Sequence, residues 1–340
     1  LTTSTLAFHP TTNELLTIDG GEVRLFPLPA PPAKVVSLAL PLGQPIGPVR
    51  LLDFRPDGQA LLVGSYHLGV YQPSTGNTLV ADRQRVKDVR GGRFSADGTF
   101  IAYGAKHDWG LLNADLTVRF AEQRSSGYVN NFIARPGATA GVQVKEVVYT
   151  YDSNTGRQAG VPTLLPSAKV RPFTSPDGRE LRMAVNDALE FVDPLTRKKS
   201  RDPLRLGGPI TRIEESHDGR HLLALVGEDS AQVWEADTLA RRAVVSLRHR
   251  GPVTALALSP DARVLLSGGR DHTAQFTDSE TGLPLGPRRN HPEPVTAAAY
   301  APDGRTVAVG TNGGLTLVWQ APPAPTDAPL DDLRLRHQSR

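Results

Sequence analysis

A short turn signature returns eight times along this chain, and its spacing restricts the possible fold more than any other feature. The copies are His9-Pro10-Thr11-Thr12, Arg55-Pro56-Asp57-Gly58, Ser95-Ala96-Asp97-Gly98, Arg135-Pro136-Gly137-Ala138, Ser175-Pro176-Asp177-Gly178, Ser216-His217-Asp218-Gly219, Ser259-Pro260-Asp261-Ala262 and Ala301-Pro302-Asp303-Gly304. Counted between second residues, they stand 46, 40, 40, 40, 41, 43 and 42 apart. That is the length of one four-stranded propeller blade. Where the signature has them, proline presets one backbone angle, aspartate bonds the backbone two residues on, and glycine accepts a positive φ. The result is a tight reversal.

Alternating or apolar stretches of strand length flank the turns, as in 253–258 before one and 264–267 after it. The local reading is strand, turn, strand. A third strand ends at positions such as Trp234 and Trp319, and an outer fourth fits segments such as 283–288. Few windows keep an apolar helical period free of Gly or Pro, so helix is nearly excluded. One twisted four-stranded sheet cannot bury its own faces; packed radially against copies of itself, it can. The expected fold is therefore all-β, an eight-bladed β-propeller of four-stranded antiparallel blades, with seven blades as the runner-up. It spans residues 1–320, and 321–340 form a proline-rich linker and tail. The last repeat stops at its third strand, so its outer strand is expected from upstream of Leu1 or from the tail at 332–336.

Composition sets limits. The chain has 340 residues, of which 39% are hydrophobic, enough to fill a core. It contains no cysteine, so there is no disulfide framework, thiolate metal site or cysteine nucleophile. No apolar run reaches bilayer length, and the start lacks the pattern of a signal peptide. Without an initiating Met it reads as a piece of a longer polypeptide or a processed form. Thirty-eight basic residues against 35 acidic ones leave +3, and no arginine run tracks a phosphate backbone. Nucleic-acid binding and membrane insertion are not expected. A cytoplasmic monomer is.

The stretch from His249 through Pro252-Val253 and Ser259-Pro260-Asp261 to Ser267 and Asp271, with Thr281-Gly282 after it, resembles a WD repeat, and 291–319 resembles another. Phrases such as Pro284-Leu285-Gly286-Pro287 are similar to WD repeats of large bacterial proteins, often beside serine/threonine kinase domains. The resemblance implies a polar tetrad: a His before strand one, a Ser or Thr on strand two, an Asp in the second hairpin turn and a Trp ending strand three. Its remnants here are His249, Ser267 and Asp271 in repeat seven, His291, Thr311 and Trp319 in repeat eight, and Trp234 in repeat six. No repeat keeps all four, which shifts weight onto apolar packing between blades.

Catalytic motifs are absent: no Gly-x-Ser-x-Gly elbow, phosphate-cradling loop with Lys, or His-Glu-x-x-His occurs. His217 and His221 are four apart, but on a turn and strand where that spacing does not converge two rings, so no metal site is assigned. The recurrent aspartates are read as turn formers. The basic run Arg197-Lys198-Lys199-Ser200-Arg201 is read as solvated charge. In a propeller the second hairpin turns and the loops entering each blade share one rim. Tyr66, Lys106, His107, Lys145, His249, Arg250, Arg270, His272, Arg288 and Arg289 project there, against an acidic group of Asp187, Glu228 and Asp229. That lopsided charge suits a protein or peptide partner, including other domains of the parent chain. The expectation is a non-catalytic interaction scaffold or regulatory propeller without cofactor or metal. The alternative is a small-ligand sensor or enzyme using the axial channel, disfavoured because innermost strands such as 254–258 and 296–299 offer mainly Ala, Leu, Val and Thr.

Overall fold

The computed structural model describes residues 47–323 and, before them, strands at 5–8, 14–19, 22–27 and 36–38; outside the description lie 83–85, 87, 96, 107, 125–128, 135–138, 145, 153–156, 159–161, 167–171, 175–179, 194, 195, 197, 217–219, 324–340 and the rest of 1–46. Every regular element described is a strand. The first sheet has three: β1 (Thr5–Phe8), β2 (Glu14–Asp19) and β3 (Glu22–Pro27). A short β4 (Val36–Leu38) follows.

Six blades are then built from four consecutive strands each. They are β5 (Leu51–Phe54), β6 (Leu61–Gly64), β7 (Leu68–Tyr71) and β8 (Thr78–Asp82); β9 (Val89–Phe94), β10 (Phe100–Ala105), β11 (Asp108–Asn113) and β12 (Val118–Arg124); β13 (Val129–Ala134), β14 (Thr139–Val144), β15 (Val147–Asp152) and β16 (Thr163–Leu164). The chain continues with β17 (Pro172–Thr174), β18 (Leu181–Val185), β19 (Ala188–Val192) and β20 (Leu204–Arg205); β21 (Ile210–Glu215), β22 (His221–Val226), β23 (Ser230–Glu235) and β24 (Arg241–Ser246); β25 (Val253–Leu258), β26 (Val264–Gly269), β27 (Thr273–Asp278) and β28 (Arg289–Asn290). The last strands are β29 (Val295–Tyr300), β30 (Thr306–Thr311) and β31 (Thr316–Gln320). They take β4 as their fourth member, antiparallel, with Val36 opposite Val318 and Leu38 opposite Thr316.

The expectation of eight self-contained blades, or seven as the runner-up, is therefore corrected. Six are made of consecutive strands, and the remaining strands divide between a composite sheet and a three-stranded one. Nor does the outer strand beside β31 come from the tail or from upstream of Leu1; it is β4. The physical reason is the open edge of β31, whose unpaired N–H and C=O groups attract a further strand. Taking β4 from the opposite end of the chain pairs that edge and ties the two ends together. The strand that the 40-residue period assigns to the first blade is thereby spent on the last.

Sheets in contact follow chain order, and β29 and β30 pack on β5, so the six blades and the composite sheet form a closed propeller. Its core is a series of seams. Val49, Phe54, Leu61 and Tyr71 pack with Ala297, Ala308 and Val318 at the closing seam. Leu266 and Phe276 pack with Val295, Val307 and Trp319 one seam earlier. Two glycines make the fit possible. A Cβ on Gly268 would collide with Val295, and one on Gly310 with Val49, so each bare backbone receives a fully buried valine from the next sheet.

The recurrent aspartates act as expected of turn residues. Asp57 accepts from the Gln59 N–H at 2.9 Å, Asp97 from Thr99 at 3.1 Å, Asp261 from Arg263 at 3.1 Å and Asp303 from Arg305 at 2.8 Å. Asp177 and Asp218 lie outside the described residues.

Candidate functional site

The loop between β24 and β25 and the turn between β26 and β27 are joined by buried polar bonds. His249 Nδ1 donates to Asp271 at 3.0 Å, and its Nε2 accepts from the Ser267 hydroxyl at 2.8 Å. Asp271 also accepts from the Arg250 N–H at 2.8 Å and the Thr273 hydroxyl at 2.8 Å. The His249 and Asp271 side chains are 2% and 6% exposed. Burial raises the Asp271 carboxyl, but the bonds from Arg250, His249 and Thr273 outweigh it and hold it at about 2. Thr277, where a tryptophan would close a tetrad, is buried.

The equivalent groups in the composite sheet do not connect. His291 and Trp319 are buried 5.7 Å apart between ring centroids, yet neither imidazole nitrogen nor the indole N–H has a hydrogen-bond partner among the described residues. Thr311 donates instead to the Leu315 carbonyl at 3.3 Å. Burial and the neighbouring Arg289 lower the His291 pKa, so the ring stays neutral. Arg289 lies over the Trp319 ring at 5.3 Å, and its own pKa is lowered by burial. It is a packing residue more than a free rim cation. In the sixth repeat Trp234 likewise has an unpartnered indole N–H, with Arg241 above its ring.

Of the rim set read from the sequence, the structure brings together His249, Arg250, Arg270 and His272. The Arg270 N–H donates to the Pro252 carbonyl at 3.0 Å, and the Arg270 Cβ stands 3.8 Å from where a Cβ on Gly251 would be. His272 is exposed and bonds the Pro292 carbonyl at 3.2 Å. Arg288 sits half-buried just before β28. Tyr66, half-buried in the β6–β7 turn, and Lys106, exposed in the β10–β11 turn, lie on other blades. His107 and Lys145 fall outside the described residues. Of the acidic group, Asp187 is engaged by Arg205 at 2.8 Å, while Glu228 and Asp229 are exposed.

Two segments, 242–278 and 283–320, match the family described as WD40: WD domain, G-beta repeat. The chain carries WD40 repeats in a propeller. The matches cover the first three strands of the blade with the buried trio, β25–β27, and of the composite sheet, β29–β31, each preceded by the outer strand of the blade before it, β24 and β28. A search of curated proteins finds no match. Propellers of WD40 repeats generally mediate protein interactions and are typically non-catalytic.

Two other sequence readings resolve at this level. The described residues of the run at 197–201 are exposed; Arg201 makes two bonds to Glu180, at 2.9 and 2.8 Å, and Ser200 a third at 2.6 Å. Arg197 is outside the description. His221 is buried beside Arg242, with its Nε2 3.6 Å from Glu235; His217 is outside the description.

The axis departs from the sequence reading. Arg93 on β9 reaches Glu215 on β21 at 3.8 Å, although these strands belong to non-adjacent blades. Asp53 on β5 accepts from the Phe94 N–H at 2.7 Å, and Arg212 on β21 bonds Glu214 at 2.8 Å and the Thr254 carbonyl at 2.6 Å. Thr254 continues to the Val295 carbonyl at 2.5 Å, and Thr296 to that of Val49 at 2.7 Å. The innermost strands therefore carry charge as well as Ala, Leu, Val and Thr, which corrects the expectation of an inert axis. Desolvation pushes the Glu215 carboxyl up to about 7, against the opposing pull of Arg93 and Arg182 and with a further push from Glu214. Sequence reasoning missed this group, and also Arg248, which is exposed one residue before His249.

Proposed function

We propose that this chain is a non-catalytic interaction propeller that binds a protein or peptide partner on the loop rim above β25–β31. The supporting observation is the rim of the repeat that holds His249 and Asp271. A buried polar trio fixes the two loops from below, while Arg250 and Arg270 stand above them in solvent. A fixed frame lowers the entropy lost on binding, and arginine is favoured at interface anchors. The partner belongs to another protein or to another domain of a larger bacterial, kinase-associated parent, and the propeller acts as a cytoplasmic monomer. Charge reversal of Arg250, Arg270 and Arg288 together tests this reading by affinity capture. The partner is expected to be lost with little change in melting temperature, because Arg250 and Arg270 are exposed and none of the three side chains makes an ion pair among the described residues. Unchanged capture would refute the rim.

A second reading, a small-ligand sensor or enzyme using the axis, draws support from Asp53, Arg93, Glu214 and Glu215. It stands behind the first because Asp53 is engaged by the Phe94 N–H and Glu214 by Arg212, and the Arg93–Glu215 contact bridges the axis.

A further inference from the structure

Most described arginines have a partner. Arg50, Arg55, Arg90, Arg93, Arg182, Arg201, Arg205, Arg212 and Arg242 lie in ion pairs. Arg241 and Arg289 lie over tryptophan rings. Those without a side-chain partner among the described residues are Arg248, Arg250, Arg270, Arg288 and Arg305. Arg305 follows a β29–β30 turn residue, on the opposite rim. The other four belong to the blade of β25–β28 or to the loop leading into it.

From this we infer that the rim binds a short carboxylate-rich peptide segment, gripped by Arg248, Arg250 and Arg270. The inference rests on the rim reading above and adds the chemistry of the partner. Backbone bonds hold Arg250 and Arg270 side by side, at Asp271 and Pro252, so their like charges face solvent unneutralised. A guanidinium presents paired donors that match a carboxylate, and such charge-assisted bonds are stronger than neutral ones.

The boundaries of the patch decide its length and its class. On one side the Leu247 N–H bonds the Asp229 carbonyl at 2.7 Å, which places the exposed acids Glu228 and Asp229 beside Arg248. On the other, the Glu293 carboxylate lies against Gly313, past the Pro292 that His272 touches. A long polyanion crossing the arginines would meet these carboxylates at both ends, whereas a short acidic stretch fits between them. The nearby aromatics Phe276, Tyr300, Trp234 and Trp319 are buried, so no stacking platform for bases adjoins the arginines among the described residues. Charge and aromatic placement therefore favour an acidic peptide over a nucleic acid.

The test is fluorescence anisotropy of the full chain with a labelled oligo-glutamate peptide about ten residues long, alongside an oligo-lysine peptide and a single-stranded oligonucleotide of similar length. The comparison protein carries Arg248→Ala, Arg250→Ala and Arg270→Ala, which leave every backbone bond in place. The glutamate peptide is expected to bind, to weaken about tenfold or more in the triple variant, and to weaken with added salt. Absence of glutamate-peptide binding, equal affinity for the variant, or tighter binding of the oligonucleotide would each overturn the inference. If the charge-reversed rim still loses its captured partner while oligo-glutamate fails to bind the native chain, the acidic chemistry falls and the rim reading survives. Loss of neither capture nor peptide binding in the variants removes both.

Discussion

The blade of β25–β28 and the composite sheet of β29–β31 with β4 each have their first three strands inside a match to the same repeat family, yet they are held together differently. The first contains a satisfied buried network: His249 lies between Ser267 and Asp271, and the carboxylate takes further bonds from Arg250 and Thr273. The second keeps His291, Thr311 and Trp319 in equivalent places but has Gly313 where an aspartate would orient the ring, and its polar atoms stay apart. Both sheets nevertheless receive a neighbour's valine on a bare glycine and share one apolar seam. The lesson is that apolar interlocking between sheets is common to the propeller, while the polar network is a local addition that one aspartate switches on.

The largest effect should come from the feature only the composite sheet has. Removing residues 1–34 deletes β1–β3, which among the described residues pair only with each other, and keeps β4. Removing 1–46 also takes β4 and leaves the β31 edge open. The shorter truncation is expected to preserve the denaturation midpoint of the ring, and the longer one to lower stability by on the order of 3 kcal/mol or more, since closure and pairing go together. Equal midpoints for the two truncations would show that β4 does not hold the ring shut.

The next effect should be alike in both sheets. Gly268→Ala and Gly310→Ala each force a methyl into a buried valine, and each should cost about 1–3 kcal/mol in urea unfolding. Gly251→Ala is the control, because its new methyl would find nothing nearer than 3.7 Å. A large difference between the two buried glycines would mean that the seams are not built on one plan.

The third separates the sheets by pH. The Asp271 carboxyl sits at about 2 in the folded chain, below its ordinary 3.8, so its contribution is complete above the ordinary value and disappears as pH falls through about 2. That shift corresponds to about 2 kcal/mol near neutral pH. Asp271→Asn should lose that amount at neutral pH and converge on the native chain in acid. A gap that does not narrow on acidification would deny that the ionised carboxylate organises the loops.

How far these differences could be read in the sequence depends on the range of the interaction. Turns at Asp57, Asp97, Asp261 and Asp303 were legible, because an aspartate bonding two residues ahead is a local event. The trio of repeat seven was legible through the resemblance to a WD repeat, which implies a polar set at His249, Ser267 and Asp271. The destination of β4 was not: Val36-Ser37-Leu38 lies between proline-rich stretches, and nothing local says which sheet will take it. The Arg93–Glu215 contact was hidden for a similar reason. Charges in the innermost strands, as in Arg212, Glu214 and Glu215, were visible, but their opposition across an axis exists only after the ring closes. Which rim arginines remain unpaired depends equally on carboxylates brought in from distant positions.

The smallest effect tests whether the disconnected histidine in the composite sheet is merely tolerated. A buried imidazole whose two nitrogens lack partners has given up hydration without compensation, and burial already keeps His291 neutral. His291→Leu keeps a side chain of similar bulk against Trp319 and removes the unsatisfied nitrogens, so it should raise stability by about 1 kcal/mol. The same substitution at His249 should lower stability instead, because it would strand Asp271 and Ser267 in a buried place. Paired thermal denaturation of the two variants measures this difference in sign. If His291→Leu is as damaging as His249→Leu, the composite sheet has polar bonds of comparable weight, and the contrast between a networked blade and an apolar one does not hold.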